Sequence, residues 1–139
     1  MAEDRAGDPA VGTRVETRLI VVVDGDRREV ARLARIVTDA GHPVITATDG
    51  RSALRHVFDS HVAPALLLTS VDLSPMSGIE LAARMAAARP GLRVVLLSPD
   101  PRTVERARDH PSLADGAVLQ PASPATLLAA VAAALTARP

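Results

Sequence analysis

The chain contains no cysteine, which excludes disulfides, thiolate nucleophiles and cysteine-bound zinc. Tryptophan and tyrosine are also absent, and Phe58 is the single aromatic residue. That argues against stacking of nucleobases and against an aromatic cage for a cation. Lysine is missing as well: all 16 basic residues are Arg, balanced by 16 Asp and Glu for a formal net charge of +0. A neutral chain gives no electrostatic ground for nucleic acid or an anionic membrane, and neither is expected as a partner. Absence of Lys beside abundant Ala matches a bias of genome composition and is not by itself a functional signal. No apolar run approaches the roughly 18 residues of a membrane span. The opening MAEDRAGDPAVGTRVETR is charged where a secretion signal would be apolar, so a cytoplasmic location is expected. The four His residues, His42, His56, His61 and His110, lack metal-ligand spacing and read as ordinary surface or loop positions.

What is present is enough apolar material for one core. The chain has 139 residues, a single domain's length, and 47% of them are hydrophobic, drawn from Val, Leu, Ile and Ala. Residues 1–17 show no apolar period and read as a flexible leader, with the domain expected over 18–138. From Arg18 onward, apolar runs alternate with helix-period segments five times. Leu19 to Val23 is a continuous, mostly β-branched run, the pattern of a strand buried on both faces. After Asp24-Gly25-Asp26, a turn and helix-cap composition, Val30, Leu33, Ala34 and Val37 share one helical face, and Gly41 closes that helix. Further strands are expected at 43–47, 65–69, 92–97 and 117–119, each followed by a helix. The last helix runs from about Ser123 to Ala137, with Ser123 as its cap and Pro124 at its first position. Five strands alternating with five helices on short connections make a doubly wound α/β fold with a five-stranded parallel sheet and helices on both faces. Such sheets carry their chemistry at the carboxyl ends of the strands. Here those ends hold Asp24-Gly25-Asp26, Thr69-Ser70, Leu97-Ser98 and Leu119-Gln120-Pro121.

Several segments, in this order, resemble the receiver domain of two-component response regulators, a chemotaxis-type, flavodoxin-like fold. They are VVVDGD after the first strand, Ala40-Gly41-His42-Pro43-Val44, Thr48-Asp49-Gly50 with Ala53-Leu54, Pro64 to Leu68, Met76 to Leu81, Ser98, and Gln120-Pro121. The resemblance covers nearly everything from Arg18 to Arg138. It implies phosphorelay signalling, with an acceptor Asp ending strand three and two acids after strand one holding Mg²⁺. It also implies a Thr or Ser after strand four that senses the phosphoryl group, and a Lys before a Pro after strand five that pairs with it. A carboxylate attacking phosphate is anion meeting anion, so the chemistry needs both cations.

This sequence departs from that pattern at the decisive positions. The acceptor position falls on Ser70, the second metal acid on Gly25, and the Lys on Gln120, while Asp24 and Ser98 match and Asp26 is the optional third acid, read as a helix cap. Genome bias would turn Lys into Arg, not Gln. With the acceptor and one metal carboxylate gone, a half-buried ammonium would lack partners, whereas Gln can bond Ser70, Ser98 or backbone. The switch aromatic of strand five aligns with Ala117. No enzyme activity, metal or other cofactor is expected, and Asp24 alone remains as a Mg²⁺ candidate.

The expectation is a stand-alone, atypical receiver, a pseudo-receiver independent of phosphorylation at the usual site. It would act through protein contacts, with a signalling effector or with a second copy as a homodimer. The contact surface expected is the face made by the fourth helix, fifth strand and fifth helix. From Gly116 to Ala137 there is no charged residue, and Leu127, Leu128, Val131 and Leu135 form the core stripe of the last helix. That leaves Ala125, Ala129, Ala132, Ala133 and Thr136, with Ala117, as interface candidates. Two alternatives stand beside this: a small-molecule sensor using a crevice lined by Asp24, Ser70, Ser98 and Gln120, and a residual phosphoprotein using Asp72 or Asp24 as substitute acceptor.

Overall fold

The structure is a computed structural model that describes residues 18–136. The leader expected over 1–17 lies outside the described residues. Five strands, β1 (Ile20–Val23), β2 (Val44–Ala47), β3 (Leu66–Ser70), β4 (Arg93–Ser98) and β5 (Gly116–Leu119), alternate with five helices. These are α1 (Arg27–Asp39), α2 (Gly50–Asp59), α3 (Gly78–Ala88), α4 (Pro101–Arg108) and α5 (Pro124–Thr136). All strand pairs are parallel, in the order β2-β1-β3-β4-β5. The expected doubly wound α/β sheet is the observed one, with element ends within a few residues of those read from the sequence.

The apolar strand runs explain the layering. Ile20, Val22, Leu66, Leu68, Val95, Leu97 and Val118 point to one side and meet Leu33 and Val37 of α1 and Leu127, Val131 and Ala134 of α5. Their alternate neighbours Val21, Val23, Leu67, Val94, Leu96 and Ala117 point to the other, against α2, α3 and α4. Burial on both faces is why these strands carry no polar alternation.

Each helix begins on a short polar side chain that accepts a backbone N–H of its first turn. Asp26 accepts from Arg28, Asp49 from Ser52, Ser77 from Glu80, Asp100 from Arg102 and Ser123 from Thr126. Each cap is worth about 1 kcal/mol and fixes where the loop above the sheet ends. Gly41, at φ +103°, takes the left-handed conformation that lets α1 turn into β2. Among the described residues no helix is long and apolar enough to cross a membrane.

The last helix buries Leu127 and Val131 of the stripe its sequence predicts, together with Ala134, while Leu128 and Leu135 are half-buried. Ala125, Ala129, Ala132, Ala133 and Thr136 are exposed. Ala117 differs from the expectation of an interface position. It is 7% exposed, because β5 turns it toward α4, where it packs in one cluster with Val104 and Ala107. The Arg108 guanidinium folds back over it and donates to its carbonyl oxygen from Nε at 3.3 Å and Nη2 at 3.0 Å. The exposed residue of that strand is Leu119, two positions on.

Candidate functional site

The carboxyl ends of β1, β3 and β5 open into a crevice of about 510 Å³, lined by Asp24, Gly25, Asp26, Glu29, Ser70, Asp72, Pro99, Gln120 and Pro121. Strand register brings these residues together: Val23 pairs with Thr69 and Ser70 with Leu97, so Asp24, Ser70 and Ser98 leave the sheet at one end. Six of the positions singled out in the sequence, Asp24, Gly25, Asp26, Ser70, Asp72 and Gln120, line the crevice. Ser98 does not, which corrects the expected lining. Its side chain is buried, and its hydroxyl accepts the Asp100 N–H at 3.0 Å as the chain turns into α4. None of the four histidines lines the crevice.

Asp24 is the chemically unusual group. It is only 8% exposed, and its Oδ1 accepts the Asp26 backbone N–H at 2.9 Å. Burial pushes its carboxyl above the usual aspartate range, and the negative charges of Glu29 and Asp26 add to the rise. The Asp26 N–H and the Gln120 side-chain amide oppose it. Asp26 itself faces outward to cap α1. Gly25 presents no donor, and a Cβ built there would meet nothing nearer than the Asp72 carbonyl oxygen at 4.0 Å.

Ser70 is buried, and its Oγ accepts the Asp72 backbone N–H at 3.2 Å. Among the described residues no carboxylate or imidazole is bonded to that hydroxyl to withdraw its proton, so it lacks the activation that a nucleophilic serine needs. Asp72 is exposed and opens the loop to α3, where Leu73 and Gly78 both donate to the Val71 carbonyl at 3.0 and 2.9 Å. Gly78 lies hard against the site's backbone: a side chain there would collide with the Ser70 carbonyl oxygen.

The Gln120 side chain bonds neither Ser70 nor Ser98, two of its expected partners, although the residue's backbone N–H donates to the Ser98 carbonyl at 2.8 Å. Its Nε2 donates to Glu29 Oε2 at 3.4 Å. Glu29 is the functional position that the sequence reading missed. It lies three residues after the α1 cap, a place where Glu is common for reasons of helix capping, and that Asp-x-x-Glu spacing was the available signal. Its carboxylate also holds Arg32, through Nε at 3.1 Å and Nη2 at 3.3 Å.

The donor set fits Mg²⁺ poorly. The ion wants near-octahedral oxygen ligands, usually one or two carboxylates beside phosphate oxygens. Here Asp24 is the one carboxylate at the end of β1 that is not committed to a helix cap, Gly25 supplies no ligand, Asp26 is turned to its cap, and Ser70 offers a neutral hydroxyl already bonded to the Asp72 N–H. Among the described residues no three His, Asp or Glu side chains come together in a way that could hold a metal ion.

Curated proteins give no match. Solved structures give many, of which three illustrate the range. A response regulator receiver domain protein from Clostridium thermocellum shares 17% identity at a TM-score of 0.75, over 85% of this chain and 94% of that one. The BeF3-activated DrrB receiver domain shares 26% identity at a TM-score of 0.73, over 88% of this chain and 100% of that one. NtrX from Brucella abortus shares 28% identity at a TM-score of 0.76, over 86% of this chain but only 27% of that one. The family model described as "Response regulator receiver domain" matches residues 20–132. The order of the strands, the crevice at their carboxyl ends and this match together place the chain in the family of response regulator receiver domains.

Proposed function

We propose that this receiver domain serves two-component signalling without being phosphorylated at the usual position, and that it signals through protein contacts made by α4, β5 and α5. The observation that carries the proposal is Ser70. It stands at the carboxyl end of β3, where the family resemblance puts an acceptor Asp, and its hydroxyl is bonded to the Asp72 N–H. A hydroxyl so placed cannot take the role of a carboxylate nucleophile beside a metal. Gly25 and Gln120 are consistent with it, since each removes a charge that phosphotransfer needs and that a site without a phosphoryl group would carry unpaired.

The contact face is supported by the surface of α5. Ala125, Ala129, Ala132, Ala133 and Thr136 present no charge to solvent, and Leu119 lies exposed at the neighbouring strand end. A surface helix without charged residues is unusual unless something covers it. Enzyme activity, a bound cofactor and nucleic acid form no part of this reading.

The test is an amide NMR titration with Mg²⁺ and then with beryllofluoride, the group present on the activated DrrB receiver. The expected result is no saturable shift at Asp24, Ser70 or Gln120 with millimolar Mg²⁺ and none on adding beryllofluoride. Saturable shifts that spread to α5 would overturn the proposal.

A further inference from the structure

The crevice contains an internal link that no phosphoryl chemistry requires. Glu29 lies on α1, Gln120 directly follows β5, and Ala122 lies in the loop that leads into α5. Glu29 accepts from Gln120 at 3.4 Å and holds Arg32 in a two-point pair at 3.1 and 3.3 Å. Arg32 in turn donates from Nη2 to the Ala122 carbonyl at 3.4 Å. The first turns of α1 are thereby joined to both sides of Pro121 by side chains of the protein alone.

We infer that the Glu29–Arg32 pair is a resident clamp, which ties α1 to the β5–α5 loop and sets the position of that loop without any ligand. The inference rests on reading the site as one that takes no phosphoryl group. Where a bound anion would be the piece joining strand ends across such a crevice, here a carboxylate and a guanidinium carried on one helix do the joining. Gln120 is a fitting partner because its amide can donate to Glu29 with no charge to neutralise. Arg32 is fitting because its planar fork can hold a carboxylate and still present an N–H to a carbonyl. The loop so fixed leads directly into α5, whose first turn is anchored by Leu127 N–H on the Ser123 carbonyl at 3.0 Å. The contact face would then be held in one arrangement at all times.

The experiment uses the full chain without Mg²⁺ or any phosphate analogue. Backbone ¹⁵N relaxation at Ala122 and Ser123 and amide exchange at Leu127 are compared among wild type, Glu29→Ala, Arg32→Ala and Gln120→Ala. The expected result is greater mobility at Ala122 and Ser123 in all three variants. Exchange at Leu127 should be about threefold faster, the scale of one exposed ionic contact, with no change at Ala53 in α2. The Gln120 variant leaves both helices' sequences intact and so guards against an effect of Glu29→Ala on α1 itself. Unchanged relaxation and exchange in the Arg32 and Gln120 variants would overturn the clamp. A beryllofluoride response in a protein whose loop does loosen on mutation would overturn only the reading of the site.

Discussion

The Asp72 backbone N–H donates to the Ser70 hydroxyl oxygen across one intervening residue, closing the end of β3 on itself. An aspartate at position 70 could accept the same bond, so the backbone has the geometry of an acceptor site even though the side chain does not. Room exists at Gly25 as well, where a Cβ is 4.0 Å from its nearest neighbour. The combined variant Gly25→Asp, Ser70→Asp, Gln120→Lys is therefore expected to fold and to show saturable Mg²⁺ binding by NMR under conditions where the proposal expects none for the parent. Any one of the three changes alone should not confer it, because each leaves the charge set incomplete. A triple variant that folds and ignores Mg²⁺ would show that these three positions are not enough to make a metal site here.

Asp24 makes stability depend on pH in an identifiable direction. Its folded-state carboxyl is raised above the ordinary aspartate value, chiefly by burial, so the folded state binds its proton more tightly than the unfolded chain does. The ionised form is a destabilising element that is fully present above the raised value and is relieved as pH falls through it toward the ordinary aspartate value. Asp24→Asn keeps an oxygen to accept the Asp26 N–H and removes the charge. Urea unfolding should show a higher midpoint for the variant at pH 7, with the difference narrowing toward pH 4. A lower midpoint at pH 7 would mean that the carboxylate has a stabilising partner.

Asp49 acts in the opposite sense. Its carboxyl is held below the ordinary value, first by the Ser52 backbone N–H and also by that residue's hydroxyl and by Arg55. A lowered value gives stability that is present above the unfolded value and lost as pH falls through the folded one. Asp49→Ala is expected to cost about 1 kcal/mol at pH 7 through the lost α2 cap. The cost should be smaller at pH 2 than at pH 7, measured by urea titration at both.

The two faces of α5 should separate stability from association. Ala134 is 2% exposed, and Ala132 two positions earlier is exposed. Ala134→Arg buries a charge without a partner and is expected to destabilise by on the order of 4 kcal/mol. Ala132→Arg should leave the melting temperature within a degree or two while weakening whatever assembly the face supports, read by sedimentation of wild type and variant at matched concentration. Equal melting losses in both variants would mean that the outer face is not free.

The fold was legible because its signals are local and redundant. Runs such as Ile20 to Val23 and Leu66 to Leu68 have no helical reading that would bury every residue, and the caps Asp26 and Ser123 stand at the helix starts they announce. The ends of the strands were legible for a different reason: in a parallel sheet, register carries Asp24, Ser70 and Gln120 to one rim whatever the side chains are. What the sequence did not disclose was direction. Ala117 faces α4 and is covered by Arg108, nine residues earlier in the chain, and nothing in the local pattern announces that contact. Ser98 turns its hydroxyl to the Asp100 N–H instead of into the crevice, and Gln120 meets Glu29 from a helix ninety-one positions away. Such long-range pairings depend on how two loops settle over the sheet, which periodicity does not encode.

Gly78 has a bearing on how this chain is to be compared with its relatives. A side chain at that position would run into the Ser70 carbonyl oxygen and crowd the Val71 Cα, so glycine there answers to the clearance between the start of α3 and the end of β3. The requirement is the same whether the neighbouring side chain is an acid or an alcohol. A motif of this kind reports that a backbone crossing has been built and is silent about whether anything reacts beside it. The segment Met76-Ser77-Gly78 thus dates from the architecture and not from the chemistry, and a protein can lose the second while every trace of the first stays in view.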